Sequence, residues 1–151
     1  MAFTFEVLEV IQGIEYETKE EEGFTVVRYK PKDLCAERTI WIDEENRQVV
    51  VYTESTTVKG SPDTWDNCVQ YVSRVNEFLM IGCFEIKRNS FNFSLKMGQK
   101  FASEANPKQI VDFFLGQQDY FFPKLIEGAV HIVSGTKSPI ESSQLFIKPL
   151  H

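Results

Sequence analysis

VNEFLMIGCFEIKRNSFNFSLKM, residues Val75 to Met97, is the stretch whose reading decides the fold. Val75 and Leu79 close a helical stripe, Gly82 stops the helix, and the hydrophobic period then changes from about 3.6 residues to 2. Phe84 and Ile86 alternate with Cys83, Glu85 and Lys87, while Phe91, Phe93, Leu95 and Met97 alternate with Asn92, Ser94 and Lys96. This is the pattern of two strands that each present one apolar face. Arg88, Asn89 and Ser90 supply the hairpin turn, with Asn89 suited to a left-handed backbone. A one-residue slip would expose every Phe of the second strand, so the register is strongly specified.

Upstream, Ser61-Pro62 opens the helix that ends in this stretch. Ser61 is the expected N-cap, Pro62 occupies the first helical position, and Asp63 complements the helix dipole. Trp65, Cys68, Val69, Val72, Val75 and Leu79 form its apolar stripe, predicting helix to about Met80. Further back, Phe24 to Lys30, Ala36 to Asp43 and Gln48 to Thr53 are strands rich in β-branched and aromatic residues, and the turn Asp43 to Asn46 joins the last two. Ile14 to Thr18 could add a short strand before the charged turn KEEEG. Ile40 and Ile42 face one side of the meander and Trp41 the other, so one face is core and the second calls for some cover. Phe3 to Gln12 has three-residue apolar spacing and Gly13 at a capping position. That predicts a helix, with Val7, Val10 and Ile11 leaving a strand as the alternative.

Downstream, Asn106-Pro107 opens a last helix whose apolar positions run to Val133, ended by Gly135. Pro123 interrupts it and predicts a kink or a break near Asp119 to Phe122. The fold class is therefore α+β, in the order α-β-β-β-α-β-β-α, with helices packed on one face of an antiparallel sheet. Residues 1–135 form a single domain. Residues 136–151 form a C-terminal tail, partly flexible and ordered only if Leu145, Phe146 and Ile147 dock.

Composition bounds the function. In 151 residues with 42% hydrophobic content there is enough apolar material for one core. The first 60 residues hold 13 acidic and 7 basic side chains, and the rest is balanced, so the net charge of −6 is N-terminal. No basic stripe exists to neutralise phosphates, which argues against nucleic acid or an anionic membrane as partner. Cys35, Cys68 and Cys83 form no C-x-x-C pair and leave an odd cysteine in any disulfide scheme, predicting reduced thiols in a cytoplasmic protein. No basic residue precedes Lys19, so a secretory leader is not expected, and the run Phe78 to Phe84 is too short to span a bilayer.

Together, RVNEFLMIGCFEIKRNSFNFSLKM and DYFFPKLIEGAVHIVSG resemble the YbjN-type family of bacterial sensory transduction regulators. Arg74, Asn76, Gly82, Phe84 and Pro123 stand at the positions that carry the likeness. The resemblance spans roughly Phe3 to Gly135, with its specific words in the second half. It implies a fold similar to type III secretion chaperones, which are dimeric α+β proteins that hold unfolded protein segments, and it implies no catalytic residues.

The residues themselves offer little chemistry. His131 has no cysteine or carboxylate at metal-ligand spacing, and the acidic runs Glu20 to Glu22 and Asp43 to Glu45 fall in turns and do not match an EF-hand loop. The eight glycines are scattered, so no phosphate cradle is formed. No cofactor, metal or catalytic set is expected. The informative excess is aromatic: Phe113, Phe114, Tyr120, Phe121 and Phe122 exceed what one helix stripe needs. Either Pro123 turns all five into one core, or Phe113, Tyr120 and Phe121, with Trp41, form an interaction surface.

Two functional expectations follow. The first is a non-catalytic regulator or chaperone-like module, homodimeric, that binds a protein client through an apolar face or an open strand edge. The second is a ligand-sensing or enzymatic domain with a pocket between the sheet and the kinked helix, using Arg74, Asn76 and Trp41. For Asn76 the alternative role is capping or bonding nearby backbone.

Overall fold

A computed structural model describes residues 2–147, apart from the side chains of residues 145 and 147. The elements are α1 (Ala2–Glu9), β1 (Glu17–Glu21), β2 (Phe24–Tyr29), β3 (Ala36–Asp43), β4 (Gln48–Lys59), α2 (Trp65–Asn76), β5 (Cys83–Ile86), β6 (Asn92–Lys100), α3 (Lys108–Ser134) and α4 (Pro139–Ile147). The strands form one antiparallel sheet in the order β1-β2-β3-β4-β6-β5.

The α+β class and the helix-covered sheet hold, with two additions to the expected order. A fourth N-terminal strand, β1, takes in Glu17 and Thr18 from the possible strand Ile14 to Thr18 but runs on through Lys19, Glu20 and Glu21, where a turn is expected. Glu17 to Glu21 pair with Phe24 to Arg28 around a two-residue loop, Glu22-Gly23, in which both residues have positive φ. The paired backbone overrides side-chain polarity there, and charges on an edge strand stay in water. The second addition is α4, within residues assigned to the tail. It packs against α2 and α3, and Phe146 lies 5.5 Å from Phe121, ring to ring. The docking expected of Leu145 and Ile147, and residues 148–151, fall outside the described residues.

Sheet alternation sends Val27, Tyr29, Arg38, Ile40, Ile42, Val49, Val51, Thr53, Leu95, Met97, Phe84 and Phe93 to the helical side, where the apolar members join one core with Phe3, Val7, Ile11, Tyr71, Phe122 and Leu125. Burial of each such side chain is worth about 1.5–3 kcal/mol. The opposite face carries Phe24, Val26, Trp41, Val50 and Tyr52 and has no helix over it. Phe24 meets Trp41 edge-on at 5.6 Å, and together they shield Val26.

Local details depart from the sequence reading in instructive ways. Ser61 opens α2, but as one half of a turn: Ser61 N–H donates to Thr64 Oγ1 (2.9 Å) and Thr64 N–H to Ser61 Oγ (3.2 Å), so regular helix begins only at Trp65. It ends at Asn76 rather than Met80, which is 98% exposed. The left-handed residue of the β5–β6 loop is Phe91 (φ 58°), not Asn89. Phe91 therefore leaves the strand alternation and meets Trp65 edge-on at 5.9 Å, and its carbonyl accepts from Gly60 N–H (2.9 Å). At the β3–β4 turn, Asn46 N–H donates to Asp43 Oδ1 (3.0 Å) and the Asn46 amide to Oδ2 (2.7 Å), which holds the Asp43 carboxyl below its ordinary range. Glu44 in the same turn accepts from Phe3 N–H (3.3 Å) and Thr4 N–H (3.1 Å), capping α1.

Helix α3 runs unbroken for 27 residues through Pro123, so the expected break does not occur. Tyr120, four residues from Lys124, and the apolar positions on either side keep one helical frame, and packing of Phe122, Leu125 and Ala129 into the core outweighs the single lost hydrogen bond. Gly128 is where α2 meets α3. The hydroxyl end of Tyr71 abuts it and donates to the Leu125 carbonyl (2.6 Å), and a Cβ at Gly128 would fall 2.2 Å from the Tyr71 hydroxyl.

Two helix glycines should consequently respond in opposite directions to the same change. Gly116→Ala meets nothing within 4 Å and gains helix propensity, about 0.5–1 kcal/mol. Gly128→Ala gains the same propensity but forces Tyr71 to move, for a net loss of about 1–2 kcal/mol. Urea denaturation of the two variants checks the contrast, and stabilisation by both would contradict this packing.

Candidate functional site

An apolar concavity lies where β5 begins. Gly82 enters β5 with φ 82°, and a Cβ there would sit 2.6 Å from the Lys96 carbonyl, so only glycine lets the chain turn away against β6. Beyond this departure a cleft of about 530 Å³ opens between the end of β6 and the first turns of α3. Ile81, Met97, Ile110, Phe113 and Phe114 line it, with Glu85, Lys96 and Gln99 at its rim. Phe78, Met80 and Ile81 extend exposed apolar surface from the same loop. Such continuity of exposed apolar groups marks an interaction surface.

The side chains singled out from sequence are not gathered in one place. Phe113, 43% exposed, lines the cleft, and Tyr120, 58% exposed, lies two turns along the same stripe of α3. Tyr120 carries the Lys124 ammonium over its ring at 4.2 Å and meets the half-buried Phe121 edge-on at 5.0 Å. Phe121 is partly covered by Phe146, while Phe114 and Phe122 are buried. The aromatic excess thus divides between core and surface. Trp41 stands on the opposite side of the molecule, on the uncovered sheet face.

Arg74 and Asn76 line none of the clefts beside Met97, Val10 or Tyr29. Asn76 Nδ2 donates to the Phe84 carbonyl (2.7 Å) and Phe84 N–H donates to Asn76 Oδ1 (2.8 Å), so the amide behaves as a surrogate strand partner at the outer edge of β5. Both of its bonding ends are used by backbone. Arg74, half-buried on the preceding turn, lines neither this cleft nor those beside Tyr29.

Polar groups do converge between the sheet and α3, at residues the sequence reading passed over. Arg38, 2% exposed, donates from Nε to Thr53 Oγ1 (3.0 Å) and from Nη2 to Asp119 Oδ1 (2.7 Å). Thr53 donates to Gln118 Oε1, and Gln118 Nε2 donates to the Val51 carbonyl (2.9 Å). Tyr29 lies beside them, its phenol raised by burial and partly restored by Arg38. A smaller cleft, about 350 Å³, reaches Tyr29, Lys32, Arg38, Asp112 and Asp119 from outside. Arg38 Nε and Nη2, the Thr53 hydroxyl and the Gln118 amide each bond across the contact between sheet and helix, so the set fastens α3 in place. The only hint in sequence was an arginine at an inward position of an otherwise apolar strand.

Nucleophile chemistry finds no setting among the described residues. Cys68 is buried, and burial raises its thiol, while Cys35 and Cys83 are exposed. His131 bonds Thr136 Oγ1 at 2.7 Å at the end of α3. Among the described residues no group of His, Cys, Asp and Glu could hold a metal, and no helix is long and apolar enough to cross a membrane.

Arg38→Met keeps the hydrophobic stem but leaves Thr53 Oγ1 without its buried donor and Asp119 without its ion pair. Its expected cost is about 3 kcal/mol, the low end for a broken buried pair because Asp119 remains in contact with water. Asp119→Asn should cost less than about 1 kcal/mol. Equal losses in denaturant titration would show that the ion pair, not the network, holds the helix. A thiol reagent should count two fast cysteines in the native protein and a third on unfolding.

Comparison with known proteins supplies a fold relative. No family model and no curated protein matches the chain. Among solved structures, the crystal structure of YbjN from E. coli, a candidate transcription regulator, superposes with a TM-score of 0.52 over 89% of this chain and 90% of its own, at 10% identity. The chain has a YbjN-type α+β fold.

Proposed function

We propose that this chain is a non-catalytic binding module that recognises an apolar segment of another protein at the cleft beside Phe113. The observation that carries this reading is the cleft itself: Ile81, Met97, Ile110, Phe113 and Phe114 converge on it without a nucleophile–base pair. A YbjN-type fold, whose solved representative is a candidate regulator, is compatible with such a role. The protein further assembles, on this reading, as a homodimer through the uncovered sheet face, where Phe24, Trp41, Val50 and Tyr52 are half-buried in one chain and gain full cover from a second.

Light scattering should then give twice the mass of the chain at micromolar concentration, with Trp41→Glu monomeric at unchanged circular dichroism. A monomeric wild-type protein at 100 μM, roughly the range of transient contacts, would remove the dimer. For the cleft, Phe113→Asp should leave the unfolding midpoint within about 2 °C, since the ring is largely exposed. It should also suppress binding of an environment-sensitive apolar dye, whereas Tyr120→Asp, further along α3, should retain most of it.

A further inference from the structure

The cleft has a main-chain wall as well as an apolar floor. Phe93 N–H turns toward β4 and donates to Ser55 Oγ (3.0 Å), and Phe101 N–H turns the same way to the Arg47 carbonyl (2.8 Å). Backbone groups alternate sides along a strand, so Leu95, Met97 and Gln99 also face β4, while Ser94, Lys96, Gly98 and Lys100 face the other way. On that other side β5 accompanies β6 only from the Ile86–Phe93 pair to the Cys83–Lys96 pair. The chain leaves at Gly82. Gly98, which lines the cleft, and Lys100, two residues further along the strand, thus turn their N–H and C=O groups to the side that β5 has left, with no strand paired beside them.

The other two sheet edges are managed differently. Edge strand β1 is charged along its length, ETKEE, and the outward groups of Phe84 in β5 are closed by Asn76. Among the described residues, the end of β6 combines open backbone with the apolar floor of the cleft. An apolar small molecule could fill the floor but would leave that backbone without partners, which a polypeptide main chain would supply.

We propose that an extended segment of a partner polypeptide adds as a short strand beside Gly98 to Lys100, in the line that β5 vacates. It carries a large apolar side chain toward Ile110, Phe113 and Phe114 and, at a position an odd number of residues away, an acidic side chain toward Lys96 and Lys100. Period-two alternation places these two on opposite faces of the added strand, as the floor and the lysines require. Glu85, the carboxylate at the rim, accepts from Ser94 Oγ (3.1 Å), whereas Lys96 and Lys100 make no ion pair among the described residues. The edge strand of a second copy, Glu17–Glu21, is acidic but brings no apolar side chain for the floor. This inference rests on the protein-binding reading above and specifies its mode.

The test uses the full chain and a panel of ten-residue synthetic peptides that alternate Thr with Val, carry Leu, Phe or Met at the centre, and end in Glu. Peptide binding by fluorescence anisotropy should weaken at least tenfold on Lys100→Pro, which removes one outward N–H, and equally on N-methylation of alternate peptide nitrogens. Amide exchange of Gly98 and Lys100 should be fast in the free protein and slow in the complex, with Gln99 and Phe101 slow in both. Binding that Phe113→Asp abolishes but backbone methylation leaves intact would overturn strand addition and retain the cleft. Failure of every peptide at millimolar concentration would overturn both. Protection of Gly98 and Lys100 on concentrating the protein alone would place a second copy there and overturn the peptide assignment.

Discussion

Val27, Ile40, Ile42, Val49, Val51 and Leu95 leave water beneath α1 and α3, and α3 can lie there only if the polar groups at the same depth find partners. Arg38 and Thr53 project from the sheet into this layer, and Gln118 and Asp119 meet them from the helix. Burial supplies the free energy of the contact, and the hydrogen-bonded set fixes its register. With α3 placed, Tyr71 finds Gly128, α2 is located against β5, and α4 closes over both helices.

The same constraint decides which surfaces remain for recognition. All helices lie on one side, so the reverse of the sheet keeps Trp41, Phe24, Val50 and Tyr52 with only partial cover. Because α3 extends past the end of β5, its first turns overhang the last residues of β6, and Phe113 borders a cleft instead of a core. Edge protection follows from local chemistry: charge on β1, a side-chain amide at Phe84, and neither at Gly98 and Lys100.

Legibility differed among elements for identifiable reasons. The β5–β6 hairpin and both long helices could be read because their apolar period is clean and their ends carry Gly82, Ser61 and Pro107. The strand β1 could not, since Glu17 to Glu21 have no apolar alternation and pair through backbone alone. Helix α4 lacked a wide stripe and is held by α2 and α3, which sit far away in sequence. Pro123 does not break α3, because burial of Phe122, Leu125 and Ala129 outweighs its local penalty. Of the candidate site residues, Phe113 and Tyr120 were visible as aromatics beyond the needs of one stripe, whereas the cleft depends on where β5 stops relative to β6.

By itself, the sequence determined the class of fold, the strand faces and the absence of a recognisable catalytic pattern, because these follow from periodicity and from which residue types occur at all. Only the tertiary structure decided what each polar residue does. Asn76 and Arg38 look equally available in one dimension, yet one completes a sheet edge and the other fastens a helix. The openness of β6 beyond Cys83 was likewise decided in three dimensions. Pairing between residues distant in sequence sets which backbone groups are satisfied, and a local pattern carries no record of a partner that ends too soon.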